Sequence, residues 1–463
     1  MAAHSIVMTE GRPLPQIIRF SVPLALTGIL QLLFNAADVI VVGKFAGSTS
    51  LAAVGATSSL INLLTGAFIG ISVGVNILVA RYIGCRDDDG VSRAVHSAVT
   101  LSLLLGIVTF LLGFFLSTPM LALMDTPADV LALASLYLRI YFIGVPGALI
   151  YNFAAAVLRA YGDTKRPLLF LAVSGVLNVL LNLFFVIVCR LDVAGVAIAT
   201  VVSQYVSVVM ILVCLMRQEG PSRLCLAKLR LHPSEALRMI QIGLPAGLQS
   251  VVFNISNVMV QSCVNSFGAD VIAANTAASN LAAFTYTAMN AVFHAAITFT
   301  SQNLGARRYD RIWSIFRNCL LTVLLIGVPL CVVSTVFGPQ LLSIYVSKND
   351  PAYDAVIAMG MIRTYSVTTP YFLCGMMEVC CGMVRGLGKS WLPMVVTIFG
   401  ACVLRIIWIY TVFQTHHTLD VLYLSYPVSW VVTSAVHILC FILIYRRMMA
   451  RWNTHKEENH AGH

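Results

Sequence analysis

One carboxylate interrupts a long apolar stretch near the start of the chain. The sequence FNAADVIVVGKF, residues 34–45, holds Asp38 after an apolar run that begins near Ile17. A charge at the centre of a bilayer costs roughly 2.5–3.5 kcal/mol on insertion scales, so such a residue usually faces a cavity or a partner. A carboxylate can bind and release a proton, or bind Na⁺ through its oxygens. We interpret Asp38 as a cation-coupling group; a structural hydrogen bond between helices is the alternative.

Three asparagines could add neutral oxygen ligands to this carboxylate. Asn35 lies one helical turn before Asp38, and Asn178 and Asn182 lie four residues apart in NVLLN, on one helical face. One aspartate with several amide oxygens makes a singly charged cage, which suits a monovalent cation. The pattern predicts a cation-coupling site of Asp38, Asn35, Asn178 and Asn182, in which Asp38, Asn178 and Asn182 could ligate Na⁺. Asparagine pairs that only join helices are the alternative.

A second carboxylate, Glu378, lies in the apolar sequence PYFLCGMMEVCCGMVRG. The surrounding segments are rich in methionine and aromatic residues, which bind lipophilic cations through cation–π contacts and soft packing. The same residue types also occur as ordinary packing residues in membrane helices. The predicted substrate-binding residues are Glu378, Gln249, Asn254, Asn257, Tyr286, Met289, Tyr371 and Met376.

The composition places these residues in a membrane. Of 463 residues, 59% are hydrophobic and only 10% are charged, whereas a soluble domain carries about 25% charged residues. The apolar runs are continuous and lack the alternation of a membrane β-barrel, so we predict an all-α integral membrane protein. The twelve cysteines are expected to be packing residues.

Twelve segments are long enough to span a bilayer, which takes roughly 20 apolar residues. Their approximate ranges are 15–43, 51–80, 94–118, 131–158, 167–189, 194–216, 239–267, 271–301, 312–338, 357–384, 391–413 and 420–445.

The basic residues fix the predicted orientation. With the N-terminus in the cytoplasm, 23 of the 29 lysines and arginines fall in cytoplasmic segments, as the positive-inside rule requires. The exceptions are Lys44, Arg190 and Lys348 in outer loops, and Arg139, Arg363 and Arg405 within helices. Both termini are therefore expected in the cytoplasm. For Arg405 we favour a structural role, either paired with Glu378 or directed outward.

An internal repeat divides the chain. RAYGDTKRP matches RGLGKSWLP at a spacing of 226, and Pro23 with Asn35 matches Pro245 with Asn257 at a spacing of 222. Because each half has an even number of helices, the two six-helix bundles should be related by a pseudo-twofold axis along the membrane normal. The predicted parts are the N-terminal bundle 1–216, a cytoplasmic linker 217–238, the C-terminal bundle 239–447 and a cytoplasmic tail 448–463.

The sequence resembles the multidrug and toxic compound extrusion (MATE) family over nearly its whole length. The resemblance is carried by Pro23, Asp38 and Gly43 in the first helix, by FAGSTSLAAVG, RAYGDTKRP, NVLLN and RGLGKSWLP, and by SYPVSW near the end. It implies efflux of organic cations and other amphipathic drugs in exchange for Na⁺ or H⁺.

The resemblance also implies roles for single residues. Asp38 falls on the family's ion-coupling aspartate, and Asn182 stands where other members carry Asp or Asn, which favours Na⁺ slightly. Some branches use an acid near Glu378 together with another on helix 7. The seventh predicted helix here contains no acid, so Glu378 is expected to serve cationic substrates instead.

Several classes are disfavoured by the sequence. The chain has no Walker A motif, and the GDTKRP sequence reads as a tight basic turn, so we expect no ATP hydrolysis. We expect a bacterial plasma-membrane transporter and not an enzyme, without cofactor or nucleic-acid partner, acting as a monomer in the lipid bilayer. Two alternatives remain: a lipid-linked oligosaccharide flippase, which the few peripheral membrane arginines disfavour, and an uncoupled receptor or channel-like protein.

Overall fold

The structure, a computed structural model, describes residues 6–124, 126–346 and 351–461. Within them, twelve long helical segments occupy the twelve predicted positions, which confirms the predicted all-α membrane fold. The predicted outer-loop residue Lys348 lies outside the described residues. The segments are α1 (Pro13–Val41), α2 (Ser48–Cys85), α3 (Asp88–Leu123), α4 (Ala128–Ala160), α5 (Lys165–Leu183), α6 (Asp192–Met216), α7 (Pro233–Asn265), α8 (Ala269–Gly305), α9 (Tyr309–Val336), α10 (Tyr353–Gly386), α11 (Trp391–Thr415) and α12 (Leu419–Ala461).

Over the described residues, eleven of these segments are long and apolar enough to span a membrane. The exception is α8, which is 37 residues long but rich in alanine, threonine, serine and asparagine. Its side chains are largely buried against protein, and it packs on α9 and α10. A helix enclosed by other helices need not present an apolar face to lipid, which explains its lower hydropathy. The protein is a multi-pass membrane protein.

The backbone repeats between the two halves of the chain. Three pairs of residues share a left-handed conformation, with φ of 89° and 100°, 58° and 53°, and 78° and 84°: Gly47 with Gly268, Arg86 with Arg307, and Gly162 with Gly388. The last pair belongs to the matched motifs RAYGDTKRP and RGLGKSWLP. A positive φ is uncommon for arginine, so its recurrence at the same point of both halves supports the predicted repeat.

Helix packing repeats as well. The central helix α4 contacts α2, α3 and α6, and its counterpart α10 contacts α8, α9 and α12. Small residues permit these close approaches: a Cβ on Gly106 of α3 would lie 2.6 Å from Pro146 Cα of α4, and one on Gly327 of α9 would lie 3.3 Å from Phe372 Cβ of α10. Gly106 and Gly327 are separated by the spacing of the repeat.

Two compact units make up the structure. The N unit comprises Leu26–Ser250 with the described residues up to Val7, and the C unit comprises Met8–Ala25 with the described residues from Val251 onward. The divisions fall inside α1 and α7, shortly after the internal prolines Pro23 and Pro245. The predicted boundaries at 216 and 239 stay a prediction.

The segment 217–238 packs against the ends of α2 and α3 in the N unit. The Cys225 backbone amide donates to His96 Nε2 (3.1 Å), and the His232 amide donates to Ser97 Oγ (3.1 Å). Glu235, only 3% exposed, accepts a hydrogen bond from the Tyr82 hydroxyl at 2.7 Å. The segment is therefore anchored by specific hydrogen bonds.

Four π-helical turns interrupt the regular helices, in α10 and α11 and directly after α1 and α5. They are Val42–Ala46, Phe184–Val188, Thr364–Thr368 and Ile398–Val403. In contrast to the left-handed pairs, these turns do not fall at repeat-related positions within the described residues. Each lies within about one helical turn of a polar or charged side chain: Asp38, Asn182, Arg363 and Arg405. Such π-helical turns occur frequently at functional sites.

Candidate functional site

The carboxylate of Asp38 on α1 meets the predicted asparagines of α5 in the N unit. Asn182 Nδ2 donates a hydrogen bond to Asp38 Oδ1. The same nitrogen lies 3.4 Å from Asn178 Oδ1, and Asn178 Nδ2 donates to Thr200 Oγ1 of α6 at 3.5 Å. Asn182 is fully buried. The structure thus joins three helices through one chain of polar side chains that starts at Asp38.

One acceptor in this series of hydrogen-bonded side chains has no donor among the described residues. The Oδ1 atom of Asn182 is buried and accepts no hydrogen bond in the described part of the protein. Buried polar atoms nearly always have partners, so an unmatched oxygen beside a carboxylate needs a physical explanation. An oxygen without a donor, next to a carboxylate, is the arrangement that a small cation can complete.

Local packing brings α1 and α5 together at this point. A Cβ on Gly175 of α5 would overlap the ring of Phe34, which lies one turn before Asp38. The absence of a side chain at Gly175 therefore lets the Phe34 ring seat against α5. The π-helical turns Val42–Ala46 and Phe184–Val188 begin just beyond Asp38 and Asn182 and contact each other.

The sequence analysis missed three residues of this cluster. Thr200 closes the hydrogen-bonded chain, and the phenols of Tyr137 and Tyr141 on α4 interact electrostatically with Asp38. The two rings stack with centroids 6.1 Å apart. Two tyrosines four residues apart within a predicted spanning helix were a usable signal, since they mark one polar stripe.

The predicted ligand Asn35 takes a different position from the other asparagines. Its side chain is exposed, and no hydrogen bond between Asn35 and Asp38 is present among the described residues. The groups that surround Asp38 come from α4 and α5 and not from the preceding turn of its own helix. The role of Asn35 stays a prediction.

In the C unit, the structure brings part of the predicted substrate set together. Glu378 on α10 is half-buried and interacts electrostatically with Tyr286 and with Arg385. The Tyr286 ring lies 6.3 Å from the Tyr371 ring. Within the described residues, Glu378 forms no ion pair within 4 Å. These three residues form a half-buried group with one carboxylate and two aromatic rings.

The remaining predicted substrate residues are dispersed. Met289 is 1% exposed, with its sulfur packed over Gly327 and Gly375, while Met376 is half-buried. Asn254 is exposed, and Asn257 accepts a hydrogen bond from Arg405. Gln249 is 9% exposed and belongs to the N unit.

The expectation for Arg405 is corrected in part. It neither pairs with Glu378 nor reaches outward, because its side chain is 0% exposed and contacts Ser429, Asn257 and the ring of Tyr426. Arg363 is also buried, at 9% exposure. The expectation of peripheral membrane arginines was therefore wrong for Arg405 and Arg363, since helix position alone does not show which face of α10 or α11 turns inward, whereas Arg139 is exposed.

Comparisons with known proteins agree with this architecture. The MatE family profile matches residues 23–184 and 245–411, two ranges that begin at the paired prolines. The probable multidrug resistance proteins YoeA and YpnP of Bacillus subtilis are 27% and 29% identical, over 85% and 86% of this chain and 86% and 88% of theirs. A crystal structure of MATE in complex with MaL6 has a TM-score of 0.89 at 21% identity, covering 96% of this chain and 98% of that chain.

Proposed function

The chain belongs to the MATE family of efflux transporters, and from this premise we propose that it is a secondary antiporter. It exports organic cations and other amphipathic drugs in exchange for Na⁺ or H⁺ by alternating access. The observation that carries the proposal is the hydrogen bond from Asn182 to Asp38, beside the unmatched Oδ1 of the same amide.

The amide of Asn182 provides a mechanism for ion coupling. Without an ion, Nδ2 donates to the Asp38 carboxylate, as in this structure. When Na⁺ binds the Asp38 carboxylate, or when this carboxylate is protonated, it is no longer favourable for the N–H group of Asn182 to face it. Rotation of the amide then presents Oδ1 to the cation or to the carboxylic O–H.

This exchange of hydrogen bonds lies next to deformable backbone. Asp38 and Asn182 each precede a π-helical turn by one turn or less. We propose that ion binding changes the conformation of α1 and α5 at these turns and so biases the transporter toward one access state. Na⁺ fits the site because its additional ligands, Asn178, Asn182 and Thr200, are neutral oxygens.

The same proposal includes the membrane, the orientation and the energy source of the transporter. Relatives in bacteria and the basic cytoplasmic segments support a bacterial plasma membrane with both termini in the cytoplasm. An ion gradient supplies the energy in place of ATP, and one chain is the functional unit.

Everted membrane vesicles test the proposal. Ethidium accumulation is measured with a Na⁺ gradient or a pH gradient imposed separately, for wild type, Asp38→Asn and the matched control Asp420→Asn. Asp420 is exposed at the start of α12. Wild type and the control should accumulate ethidium under one of the two gradients, and the effective gradient identifies the coupling ion. Asp38→Asn should not accumulate ethidium under either gradient. Accumulation by Asp38→Asn at the wild-type rate, or none by wild type, would contradict the proposal.

A further inference from the structure

The C unit holds a buried guanidinium with an unused donor. Arg405 donates from Nε to Ser429 Oγ at 2.9 Å and from Nη1 to Asn257 Oδ1 at 3.4 Å. Its Nη2 is buried and finds no acceptor in the described residues. A guanidinium carries five N–H donors and stays charged, so part of its hydrogen-bonding capacity is unmet while the whole side chain is enclosed.

A second unmet donor lies beside it. Trp430 of α12 is 1% exposed, and its ring centroid is 6.0 Å from Arg405 Cζ. Its Nε1 also finds no acceptor in the part of the chain that the structure describes. Indole N–H can only donate, so neither group can satisfy the other. Each of these two neighbouring side chains therefore has one donor nitrogen without an acceptor among the described residues.

The charge of Arg405 is also uncompensated. No carboxylate lies within 4 Å of it among the described residues, whose ion pairs lie at other positions. The rings of Tyr426 and Phe253 lie 4.3 and 5.2 Å from Cζ. Cation–π contacts offset only part of the desolvation of a fully enclosed charge. An oxyanion would supply both a countercharge and an acceptor here, whereas a neutral acceptor would supply only the second.

We propose that Arg405 and Trp430 form an oxyanion-binding site, and that its ligand is the carboxylate of an amphipathic, zwitterionic substrate. The planar fork of arginine matches a carboxylate, and the indole N–H supplies a further donor. This inference rests on the proposed export function and narrows its substrate class.

The aromatic residues link this site to the predicted cation residues. The Tyr371 ring lies 5.1 Å from the Trp430 ring and 6.3 Å from the Tyr286 ring, which interacts electrostatically with Glu378. A positive group near Glu378 and a carboxylate at Arg405 would therefore lie at the two ends of one aromatic row. A substrate with a cationic aromatic body and a carboxylate is complementary to this arrangement.

The backbone around Arg405 allows the site to open. The π-helical turn Ile398–Val403 ends two residues before Arg405, and α11 is interrupted again at Thr411, with φ −118° and ψ −80°. Because Arg405 is fully covered here, the anion enters and leaves only when a helix that encloses it moves, and these interruptions make α11 the candidate.

A matched pair of dyes tests the inference directly. Rhodamine 110 carries a free carboxylate, and rhodamine 123 is its methyl ester with the same chromophore. Binding of each to the full-length protein in phosphatidylcholine nanodiscs is followed by fluorescence anisotropy. Arg405→Met should raise the Kd of rhodamine 110 about tenfold or more, as expected for loss of charged hydrogen bonds, and change that of rhodamine 123 less than about twofold.

Two further variants keep the test independent of folding. Trp430→Phe retains the ring and the charge of Arg405 but removes the N–H, and it should weaken rhodamine 110 selectively by about three- to tenfold. Arg139→Gln, at an exposed arginine of the N unit that bonds Ser117 and Thr118, should leave both dyes unchanged. Equal changes for both dyes, no change in either variant, or no binding of rhodamine 110 to wild type would overturn the inference.

The lipid supplies a competing oxyanion of the same chemistry. If nanodiscs containing phosphatidylglycerol weaken rhodamine 110 binding to wild type but not to Trp430→Phe, the site takes a lipid phosphate and the substrate assignment fails. The antiport proposal is judged separately, because rhodamine 123 binding and gradient-driven ethidium accumulation do not require Arg405.

Discussion

In the N unit the buried polar cluster is built around a carboxylate, Asp38, whereas in the C unit it is built around a guanidinium, Arg405. At the spacing set by Pro23 and Pro245, the position equivalent to Asp38 is Val260, a buried apolar residue. At the spacing of the later motifs, the position equivalent to Arg405 is Val179. Each charge is therefore present in one half of the repeat and replaced by valine in the other.

The difference separates what the repeat preserves from what it does not. The left-handed residues and the packing of the central helices α4 and α10 recur in both halves. The π-helical turns do not recur, and they accompany the polar groups Asp38, Asn182, Arg363 and Arg405. We infer that one backbone plan supports two different tasks, ion coupling in the N unit and substrate recognition in the C unit.

The largest expected effect is that of Asp38→Asn, which tests whether ion coupling and substrate recognition are divided between the two units. Asp38→Asn removes the only charge of the N-unit cluster, so gradient-driven export should fall to the background rate. Equilibrium binding of rhodamine 110 and rhodamine 123 should stay within about twofold of wild type, because the dyes are assigned to the C unit. A large loss of dye binding in Asp38→Asn would mean that the two tasks are not divided between the units.

A graded effect is expected along the asparagine chain. Asn182→Leu removes a hydrogen bond to a charged group and should raise the half-saturating concentration of the driving ion by about ten- to a hundredfold. Asn178→Leu removes only neutral hydrogen bonds of 3.4 and 3.5 Å and should raise it by about two- to tenfold.

The control for this series is Asn152→Leu, since among the described residues the Asn152 amide bonds only the Ala148 carbonyl of its own helix. It should leave the ion dependence of export unchanged. An Asn178 effect as large as that of Asn182 would contradict the geometry, because it would place the ion away from Asp38.

These residues also show what the sequence could predict. The twelve helices and the repeat followed from apolar length and motif spacing, and helical spacing put Asn178 and Asn182 on one face. Their grouping with Asp38 followed from the oxygen chemistry of a cation site and from the family resemblance. The inward direction of each helix did not, because an all-apolar helix carries no stripe that marks its buried face. Asn35 was therefore placed beside Asp38 by spacing, although it is exposed, and the burial of Arg405 went unrecognised. The partners contributed by α4, Tyr137 and Tyr141, depend on helix packing that no local pattern specifies.

A packing variant should have a smaller effect that acts through geometry. Gly175→Ala places a methyl group in the space of the Phe34 ring and should displace α1 from α5 near Asp38. Overpacking of this kind typically costs about 1–3 kcal/mol of stability. We expect export to fall about tenfold through misplacement of Asp38, with a lower melting temperature.

Two matched variants distinguish displacement from a general loss of helix stability. Gly66→Ala in α2 adds the same methyl group where, among the described residues and apart from the backbone of its own helix, no atom lies within 4 Å, and it should be neutral. Phe34→Leu combined with Gly175→Ala should restore export in part, because a smaller side chain vacates the contested space. If the double variant is no better than Gly175→Ala alone, the Phe34 contact does not position Asp38.

The smallest expected effect is that of Glu378→Gln, which tests whether the C unit also takes part in ion coupling. Glu378 is half-buried and forms no close ion pair in the described part of the chain, so Glu378→Gln should weaken cationic dyes by only about two- to fivefold, the magnitude of a partly screened charge. Rhodamine 110 and rhodamine 123 should be affected alike, since both share the cationic ring system. The ion dependence of export should not change. If Glu378→Gln instead shifts the driving-ion dependence as Asn182→Leu does, the C unit also contributes a coupling carboxylate, and the difference between the two halves lies in their ligands and not in their tasks.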